Sequence, residues 1–163
     1  MPGGKTKIKA AVVTASDSRH PENDVSGTTL VGLLIGMGAE VAARRIVIDD
    51  LEAIQETLFE FAVREDVNLV ITTGGTGFSP RDNTPEATQA VIEKAAPGVG
   101  EAIRAASMSK TSAAMLSRGI AGIRGNTLII NFPGSPKAVA ECFEVVRPVL
   151  QHAIDLIDGD PGH

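Results

Sequence analysis

A glycine-rich loop and two aspartates are the residues of this 163-residue sequence whose types best suit chemistry. The loop, Gly74 to Asp82, directly follows an apolar run at 69–73, and Asp49 follows another at 41–48. Glycines let a backbone approach a ligand closely, and successive exposed N–H groups cradle phosphate oxygens. Nucleotide phosphates usually arrive with Mg²⁺, which takes oxygen ligands from one or two carboxylates. These residues therefore indicate a candidate site for phosphate and magnesium.

Each of these features also has a structural interpretation. The loop carries neither the Gly-Lys-Ser/Thr of a Walker A motif nor GxGxxG, so a tight strand-to-helix turn explains its glycines about as well as phosphate binding does. Asp49 is also typical of a helix cap, with Glu52 three residues on, and Asp82 of a turn beside Arg81. When each aspartate is considered alone, the structural interpretation is favoured over a role in metal binding.

A second candidate anion site is the segment 131–137, where an apolar run passes into an amphipathic one. Ser135 is predicted to cap the helix that follows, with Pro136 at its first position. The unpaired N–H groups of a helix N-terminus attract anions, and Lys137 adds a full charge. Capping alone explains the same residues and is favoured when they are considered by themselves.

Apolar runs alternate with amphipathic stretches, and this alternation predicts the elements that position the loops. Strands are predicted at 8–15, 41–48, 69–73, 121–123 and 127–131. Helices are predicted at 27–37, 50–64, 84–96, 99–108, 112–116 and from 135 onward. Ser26 and Thr84 are predicted to cap two of these helices, and Pro148 is predicted to kink the last one.

Strands that alternate with helices imply βαβ units, and hence an α/β fold whose mostly parallel sheet is covered on both faces. A single domain of residues 1–163 is expected, with a core at about 7–157. Ligands of such sheets bind outside the carboxyl ends of the strands. Four polar loops leave those ends and are expected to converge there; they lie at 16–26, 49–50, 74–84 and 131–137.

Composition argues against several classes of protein. The formal net charge of −5 disfavours a broad nucleic-acid-binding surface, which needs a basic field. The single cysteine, Cys142, excludes an intrachain disulfide and a CxxC metal site, and its place on an apolar stripe predicts a core position. No apolar run reaches the ~18 residues of a membrane span, and the polar N-terminus lacks the apolar core of a signal peptide. A soluble cytoplasmic protein with no membrane or nucleic-acid partner is expected.

Several motifs follow one another along nearly the whole chain, between about Lys7 and Leu156. They lie at 17–18, 26–27, 72–82, 84–88, 115–118, 122–125 and 131–135. In residue types and order these segments resemble the Mog-type molybdopterin adenylyltransferases, a family that includes the N-terminal domain of gephyrin and its plant counterpart. The sequence departs from that pattern at Phe132, where relatives often carry Leu, and at Asn83, where they often carry Val.

The resemblance implies a three-layer α/β/α fold and, commonly, a homotrimer. It implies that Asp49 and Asp82 are the functional carboxylates, catalytic residues that would also hold Mg²⁺ where two anions meet. The residues expected at the nucleotide phosphates are Gly74, Gly75, Thr76, Gly77, Asp17 and Ser18. The residues expected at the pterin or its phosphate are Ser117, Arg118, Ser135 and Lys137.

The reaction expected of such an enzyme is adenylyl transfer from Mg-ATP to the terminal phosphate of molybdopterin, a step in molybdenum cofactor biosynthesis. The attacking phosphate is already largely ionised near neutral pH, so no activated Ser or Cys nucleophile is needed. Catalysis would rest on positioning and charge neutralisation. A molybdenum-insertion enzyme of the same pathway is the expected protein partner. The alternative is a non-catalytic molybdopterin-binding or trimeric scaffold protein of the same fold.

Overall fold

The computed structural model describes residues 4–159, which form a six-stranded sheet with helices on both faces. The strands are β1 (Lys9–Ala15), β2 (Glu40–Val47), β3 (Leu69–Thr73), β4 (Lys94–Ala95), β5 (Ala121–Arg124) and β6 (Thr127–Phe132). Their order in the sheet is β2-β1-β3-β6-β5-β4. Strands β1, β2, β3 and β6 are parallel, whereas β5 runs antiparallel to β6 and β4 antiparallel to β5. Residues 1–3 and 160–163, the ends of the expected domain, lie outside this description.

The helices form a layer on each face of the sheet. They are α1 (Val25–Gly36), α2 (Leu51–Ala62), α3 (Thr84–Val91), α4 (Pro97–Met108) and α5 (Pro136–Ile157), and a short 3-10 helix, Ser112–Leu116, follows α4. Helices α1, α4 and α5 pack on one face, and α2 and α3 on the other. Within residues 4–159, no helix combines the length and the apolar character needed to cross a membrane.

Alternating side chains in the central strands separate the two faces. Val12 and Ile71 pack with α1, α4 and α5, whereas Val13 and Val70 pack with α2 and α3. Successive side chains of a strand point to opposite faces, so a strand between two helical layers is apolar throughout. The predicted three-layer α/β/α fold is confirmed, and Cys142 is buried in the core as predicted.

The start of α1 corrects one prediction, because Asp24 rather than Ser26 caps the helix. The Asp24 carboxylate accepts a hydrogen bond from the Gly27 amide at 3.0 Å. Ser26 lies inside the first turn, and its hydroxyl donates to the carbonyl of Gly134. Ser and Asp are both favoured at this position, so local preference alone does not separate them.

The helix predicted at 84–96 is shorter than expected: it ends at Val91, and residues 94–95 form β4. The backbone of Ile92 is extended, and its side chain packs over Gly122, where a Cβ atom would lie 2.6 Å from it. Ile92 was therefore one of the apolar residues that predicted a longer helix, but it lies after the helix and packs on β5. Thr84 is the first helical residue rather than the cap.

The start of α5 agrees with the prediction. The Ser135 hydroxyl oxygen accepts a hydrogen bond from the Ala138 amide at 3.1 Å, and Pro136 is the first helical residue. Pro148 lies inside this 22-residue helix. The kink predicted at Pro148 stays a prediction.

Candidate active site at the carboxyl edge of the sheet

The loops that follow β1, β2, β3 and β6 emerge at one edge of the sheet because these four strands are parallel. Hydrogen bonds join neighbouring strand ends. The Ser16 amide donates to the Val47 carbonyl at 2.8 Å, and the Gly74 amide donates to the Phe132 carbonyl at 3.2 Å. The predicted convergence of these loops is confirmed.

Asp49 is joined to Asp17 by reciprocal hydrogen bonds. The Asp17 amide donates to Asp49 Oδ2, and the Asp49 amide donates to Asp17 Oδ1, both at 3.0 Å. The other carboxylate oxygen of Asp49, Oδ1, is buried and has no hydrogen-bond partner within the described residues. Burial raises the pKa of Asp49, and the charges of Asp17 and Asp82 raise it further. A buried carboxylate oxygen without a partner is costly, and a coordinated cation would remove that cost.

The structural interpretations of the two aspartates have different outcomes. Asp50 caps α2 by accepting a hydrogen bond from the Ala53 amide at 2.9 Å, so the cap interpretation of Asp49 is wrong. Asp82 does close a turn, since its Oδ2 accepts a hydrogen bond from the Ser79 amide at 3.0 Å. A Cβ atom on Gly77 would lie 2.9 Å from Asp82 Oδ2, and one on Gly75 would lie 3.3 Å from Asp49 Oδ1, so both carboxylates lie beside the glycine-rich loop at the same edge of the sheet.

Arg81 pairs with Asp17 and not with its neighbour Asp82. Its Nε and Nη2 donate to the two carboxylate oxygens of Asp17 at 2.9 and 2.8 Å. These hydrogen bonds hold the pKa of Asp17 below its usual value. Both side chains are exposed, so the pair adds little to stability. It does tie the tip of the glycine-rich loop to the loop after β1.

Gly74 and Gly75 have backbone conformations that favour glycine, with φ of +96° and +69°. A Cβ atom on Gly74 would lie 2.4 Å from the Ala15 carbonyl oxygen, and one on Gly75 would lie 2.3 Å from Thr84 Oγ1. The hydroxyl of Thr84 in turn donates to the Gly74 carbonyl at 2.9 Å. At these two glycines the loop backbone therefore lies directly against the end of β1 and the start of α3, and neither position has room for a side chain.

The residues predicted at the pterin lie near different parts of the glycine-rich loop. Ser117 lines a largely apolar cavity of about 380 Å³ together with Gly77. Ser135 lines a second cavity, of about 360 Å³, together with Ser18, which was predicted at the nucleotide. Lys137 is exposed in the first turn of α5. The structure thus brings Ser18 and Ser135 together and places Ser117 in a separate cavity.

Arg118, also predicted at the pterin, lines neither of these two cavities. Its guanidinium donates to the carbonyls of Gly77 and Asp82 and to the carboxylate of Glu86. Sequence analysis did not single out Glu86 as a site residue, although it lies within the motif at 84–88; the structure places it in the first turn of α3.

Asp24 is a second carboxylate that sequence analysis missed. It is only 2% exposed, and it accepts hydrogen bonds from the Thr14 hydroxyl at 2.7 Å and from Arg44 at 3.1 Å. Burial by itself raises the pKa of Asp24, but the hydrogen bonds and the Arg44 charge outweigh it and hold the pKa below its usual value. The feature of the sequence that could have indicated Asp24 was its position at the end of a polar loop, two residues before the Ser26-Gly27 motif.

The donor set at this edge fits a magnesium ion that arrives with a nucleotide. Within residues 4–159, no three His, Cys, Asp or Glu side chains form a cluster able to hold a metal ion. Magnesium carried by phosphates needs only one or two carboxylates, because phosphate oxygens and water complete its shell. Asp49 Oδ1 and the carboxylate of Asp82 match that partial donor set.

Residues 11–152 match the family model described as a probable molybdopterin binding domain. A molybdopterin adenylyltransferase of Helicobacter pylori is 46% identical over 157 residues, which cover 94% of this chain and 89% of that protein. The molybdenum cofactor synthesis protein cinnamon of Drosophila melanogaster is 45% identical over 156 residues, which cover 94% of this chain. The chain spans only 26% of the length of the Drosophila protein.

Two solved structures have the same fold over nearly their whole length. The molybdopterin biosynthesis enzyme MoaB from Thermus thermophilus superposes with a TM-score of 0.86 at 42% identity, covering 96% of this chain and 99% of that one. The molybdopterin biosynthesis Mog protein from Mycobacterium ulcerans superposes with a TM-score of 0.85 at 38% identity, covering 92% of this chain and 99% of that one. Because the family model covers most of the chain, this protein belongs to the molybdopterin-binding-domain family of molybdenum cofactor biosynthesis proteins.

Proposed function

We propose that the chain catalyses adenylyl transfer from Mg-ATP to the terminal phosphate of molybdopterin, giving adenylyl-molybdopterin and pyrophosphate. The observation that carries this proposal is the buried Oδ1 atom of Asp49, which has no hydrogen-bond partner among residues 4–159 and lies next to a glycine-rich loop at an edge where four loops meet. The 46% identity to a Helicobacter pylori molybdopterin adenylyltransferase supports the same reaction.

In this proposal Asp49 and Asp82 hold Mg²⁺, Asp49 through its Oδ1 atom. When bound, Mg²⁺ supplies positive charge that offsets the repulsion between two phosphorylated reactants. The backbone amides of Gly74 to Gly77, with Asp17 and Ser18 on the neighbouring loop, bind and orient the nucleotide phosphates. Gly75 lies close to Asp49, so the loop that would bind the phosphates is next to the carboxylate that would hold Mg²⁺. This closeness supports the proposed roles of the two groups.

The proposed reaction requires the protein to position the reactants and does not require a side chain to act as a base or a nucleophile. A terminal phosphate oxygen of molybdopterin forms a bond to the α-phosphorus of ATP. The bond from that phosphorus to the oxygen shared with the β-phosphate breaks, and pyrophosphate leaves with the electron pair. Because the attacking phosphate is already ionised, no side chain has to remove a proton. The chain's task is to hold two anions in line for attack.

The pterin is proposed to bind in the 380 Å³ cavity. Phe78, Leu116 and Ile103 give this cavity apolar walls suited to a flat ring, and Ser117 supplies a polar contact. Ser135 and Lys137, at the N-terminus of α5, are proposed to bind the phosphate of molybdopterin.

Assembly and location form a separate part of the proposal. We propose a homotrimer in the cytoplasm that passes its product to a molybdenum-insertion enzyme of the same pathway. Ile35, Ile48 and Val63 are each more than half exposed, and burial of such side chains between copies would favour association. Sedimentation equilibrium tests the trimer, which would have three times the 16.9 kDa mass of one chain.

The decisive experiment measures pyrophosphate release from ATP by the purified protein with Mg²⁺ and purified molybdopterin. We expect release only when molybdopterin is present, together with formation of adenylyl-molybdopterin. Reactions without molybdopterin or without Mg²⁺ serve as controls. Binding of both ligands with no pyrophosphate release would instead identify a molybdopterin-binding or scaffold protein.

A further inference from the structure

Arg118 lies between the glycine-rich loop and the first turn of α3, where its guanidinium makes four hydrogen bonds. Nε donates to the Gly77 carbonyl at 2.7 Å, and Nη2 donates to the Asp82 carbonyl at 2.9 Å. Nη1 donates to both carboxylate oxygens of Glu86, at 2.8 Å each. The Arg118 amide also donates to the Thr76 carbonyl at 2.8 Å. Most of the donors in the rigid guanidinium fork are therefore committed within the protein.

These contacts hold both ends of one short segment, residues 77–82, which we call the loop tip. Gly77 begins the loop tip and Asp82 ends it, and their carbonyls meet at the same guanidinium. Inside the loop tip, the Ser79 amide donates to Asp82 Oδ2 at 3.0 Å and the Asp82 amide donates to the Ser79 carbonyl at 2.9 Å. A shift of the Asp82 backbone would therefore move its carboxylate as well.

Glu86 supplies the charge that orients Arg118. Both of its carboxylate oxygens accept from the same nitrogen, which keeps the guanidinium facing the loop tip. The hydrogen bonds from Arg118 lower the pKa of Glu86, so the glutamate stays ionised at neutral pH. The Arg118 and Glu86 side chains are 35% and 47% exposed, and ion pairs this exposed add little to global stability. Their contacts bear on the loop more than on the fold.

We infer that Arg118 and Glu86 are positioning residues for the transfer reaction: they hold the loop tip so that Asp82 can receive Mg²⁺, and they do not bind the substrates. The inference rests on the proposed function of Asp82. It replaces the expectation that Arg118 contacts the pterin, because its guanidinium is already occupied by Gly77, Asp82 and Glu86.

The first test uses Arg118→Lys and Glu86→Gln. A lysine keeps the charge but lacks the planar fork that reaches two carbonyls and a carboxylate together. We expect kcat to fall roughly 10- to 100-fold, with KM for ATP changed less than about threefold, because a misplaced catalytic group costs rate more than binding. Backbone hydrogen exchange in residues 77–82 should become faster in both variants, which is a readout independent of activity.

A charge-swapped variant separates positioning from stability. Glu86→Arg combined with Arg118→Glu keeps an ion pair, but a glutamate at 118 cannot donate to the carbonyls of Gly77 and Asp82. We expect this double variant to retain the wild-type Tm while kcat stays low and the loop tip stays in fast exchange. The matched control is Glu60→Gln on α2, which breaks an exposed pair with Arg45 on β2, bonded at 2.7 and 3.0 Å, away from the loop tip. It should change neither kcat nor exchange in residues 77–82.

Wild-type kcat in the charge-swapped variant would overturn the inference, and so would unchanged exchange of the loop tip in Arg118→Lys. A rise of tenfold or more in KM for molybdopterin at unchanged kcat in Arg118→Lys would also overturn it, since that result identifies a substrate ligand. Absence of adenylyl transfer by the wild-type protein would refute the proposed function itself. In that case the exchange experiment still decides whether Arg118 holds the loop tip.

Discussion

Gly75 lies against the carboxylate of Asp49, so closely that a Cβ atom on Gly75 would be 3.3 Å from Asp49 Oδ1. The loop after β3 thus closes over the carboxylate that follows β2. The φ of +69° at Gly75 places its backbone there, and a side chain would also meet Oγ1 of Thr84. This contact places the glycine-rich loop beside the buried Oδ1 atom of Asp49.

Replacing Gly75 by alanine should destabilise the protein. The positive φ and the contact at 2.3 Å with Thr84 Oγ1 both oppose a Cβ atom, and we expect a loss of about 1–3 kcal/mol in the free energy of unfolding. Urea denaturation measures this loss. Gly32→Ala in α1 is the control, because nothing lies within 4 Å of its added Cβ. That variant should gain about 0.5–1 kcal/mol, and equal losses in the two variants would contradict the steric argument.

Asp49→Asn should stabilise the metal-free protein at neutral pH. Burial raises the pKa of Asp49, so ionisation of this carboxyl opposes folding. The penalty is absent below about pH 4, the unfolded pKa, and is complete once the pH exceeds the folded pKa. We expect the variant to melt up to about 2–4 °C higher at pH 7 and at the wild-type Tm near pH 3.

Calorimetric scans without and with Mg-ATP check the Asp49 prediction. Mg-ATP should raise the Tm of the wild-type protein more than that of Asp49→Asn, because the variant lacks one charged ligand. A lower Tm for the variant at pH 7 without ligands would show that the Asp49 charge is stabilising, against the argument from its unpartnered oxygen.

Asp82→Asn should reduce turnover at least 100-fold while the ligands still bind. An amide can accept the hydrogen bond that Asp82 Oδ2 takes from the Ser79 amide, so the turn is retained. The negative charge next to Mg²⁺ is lost, and removal of one electrostatic contact at a reacting centre costs on the order of 100- to 1,000-fold. Initial rates of pyrophosphate release and ATP titration calorimetry measure the two effects. Near-wild-type turnover would remove Asp82 from the mechanism.

Asp24→Asn should destabilise the fold at neutral pH by about 1.5–3 kcal/mol, the range for hydrogen bonds to a buried charge. The carboxylate receives hydrogen bonds from Thr14, Gly27 and Arg44, and they outweigh burial so that its pKa lies below the usual value. Because this pKa is depressed, the stabilisation is present above about pH 4 and is lost as the pH falls through the folded pKa. Urea titrations at pH 7 and pH 3 should show the difference shrinking in acid.

Asp66→Asn is the comparison for Asp24. Asp66 pairs with Arg64 at 2.7 Å, but its side chain is 55% exposed, so solvent screens the pair and its loss should leave the free energy of unfolding nearly unchanged. Similar losses for the Asp24 and Asp66 variants would mean that burial of Asp24 adds nothing to its interactions.

The sequence predicted those parts of the site that are indicated by neighbouring residues along the chain. The loop beginning at Gly74 follows a fully buried strand, so its composition and its place at a strand end were both readable. Asp49 follows β2 in the same way, and Ser135 caps α5 through an amide three residues on. Parallel strands bring their carboxyl ends to one edge, so local elements were sufficient to predict that these loops meet.

The partners of the charged side chains could not be predicted in this way. Arg118 meets Glu86 across 32 residues of sequence, and Arg81 passes over its neighbour Asp82 to pair with Asp17, 64 residues away. Nothing in the spacing of these residues distinguishes one partner from another, because the choice depends on which groups the folded chain brings within hydrogen-bond distance.

The sequence by itself determined the layers of this protein and the four loops at the carboxyl edge, because periodic burial and strand direction are local properties. The tertiary structure decided that Asp24 rather than Ser26 caps α1, that residues 94–95 join the sheet, and that Arg118 donates a hydrogen bond to the glycine-rich loop. Local preferences were nearly equal only for the cap of α1, whereas in the other two cases local spacing gave no information about the distant contacts. Contacts with residues distant in sequence selected each arrangement: Thr14 for Asp24, Gly122 for Ile92 and Gly77 for Arg118.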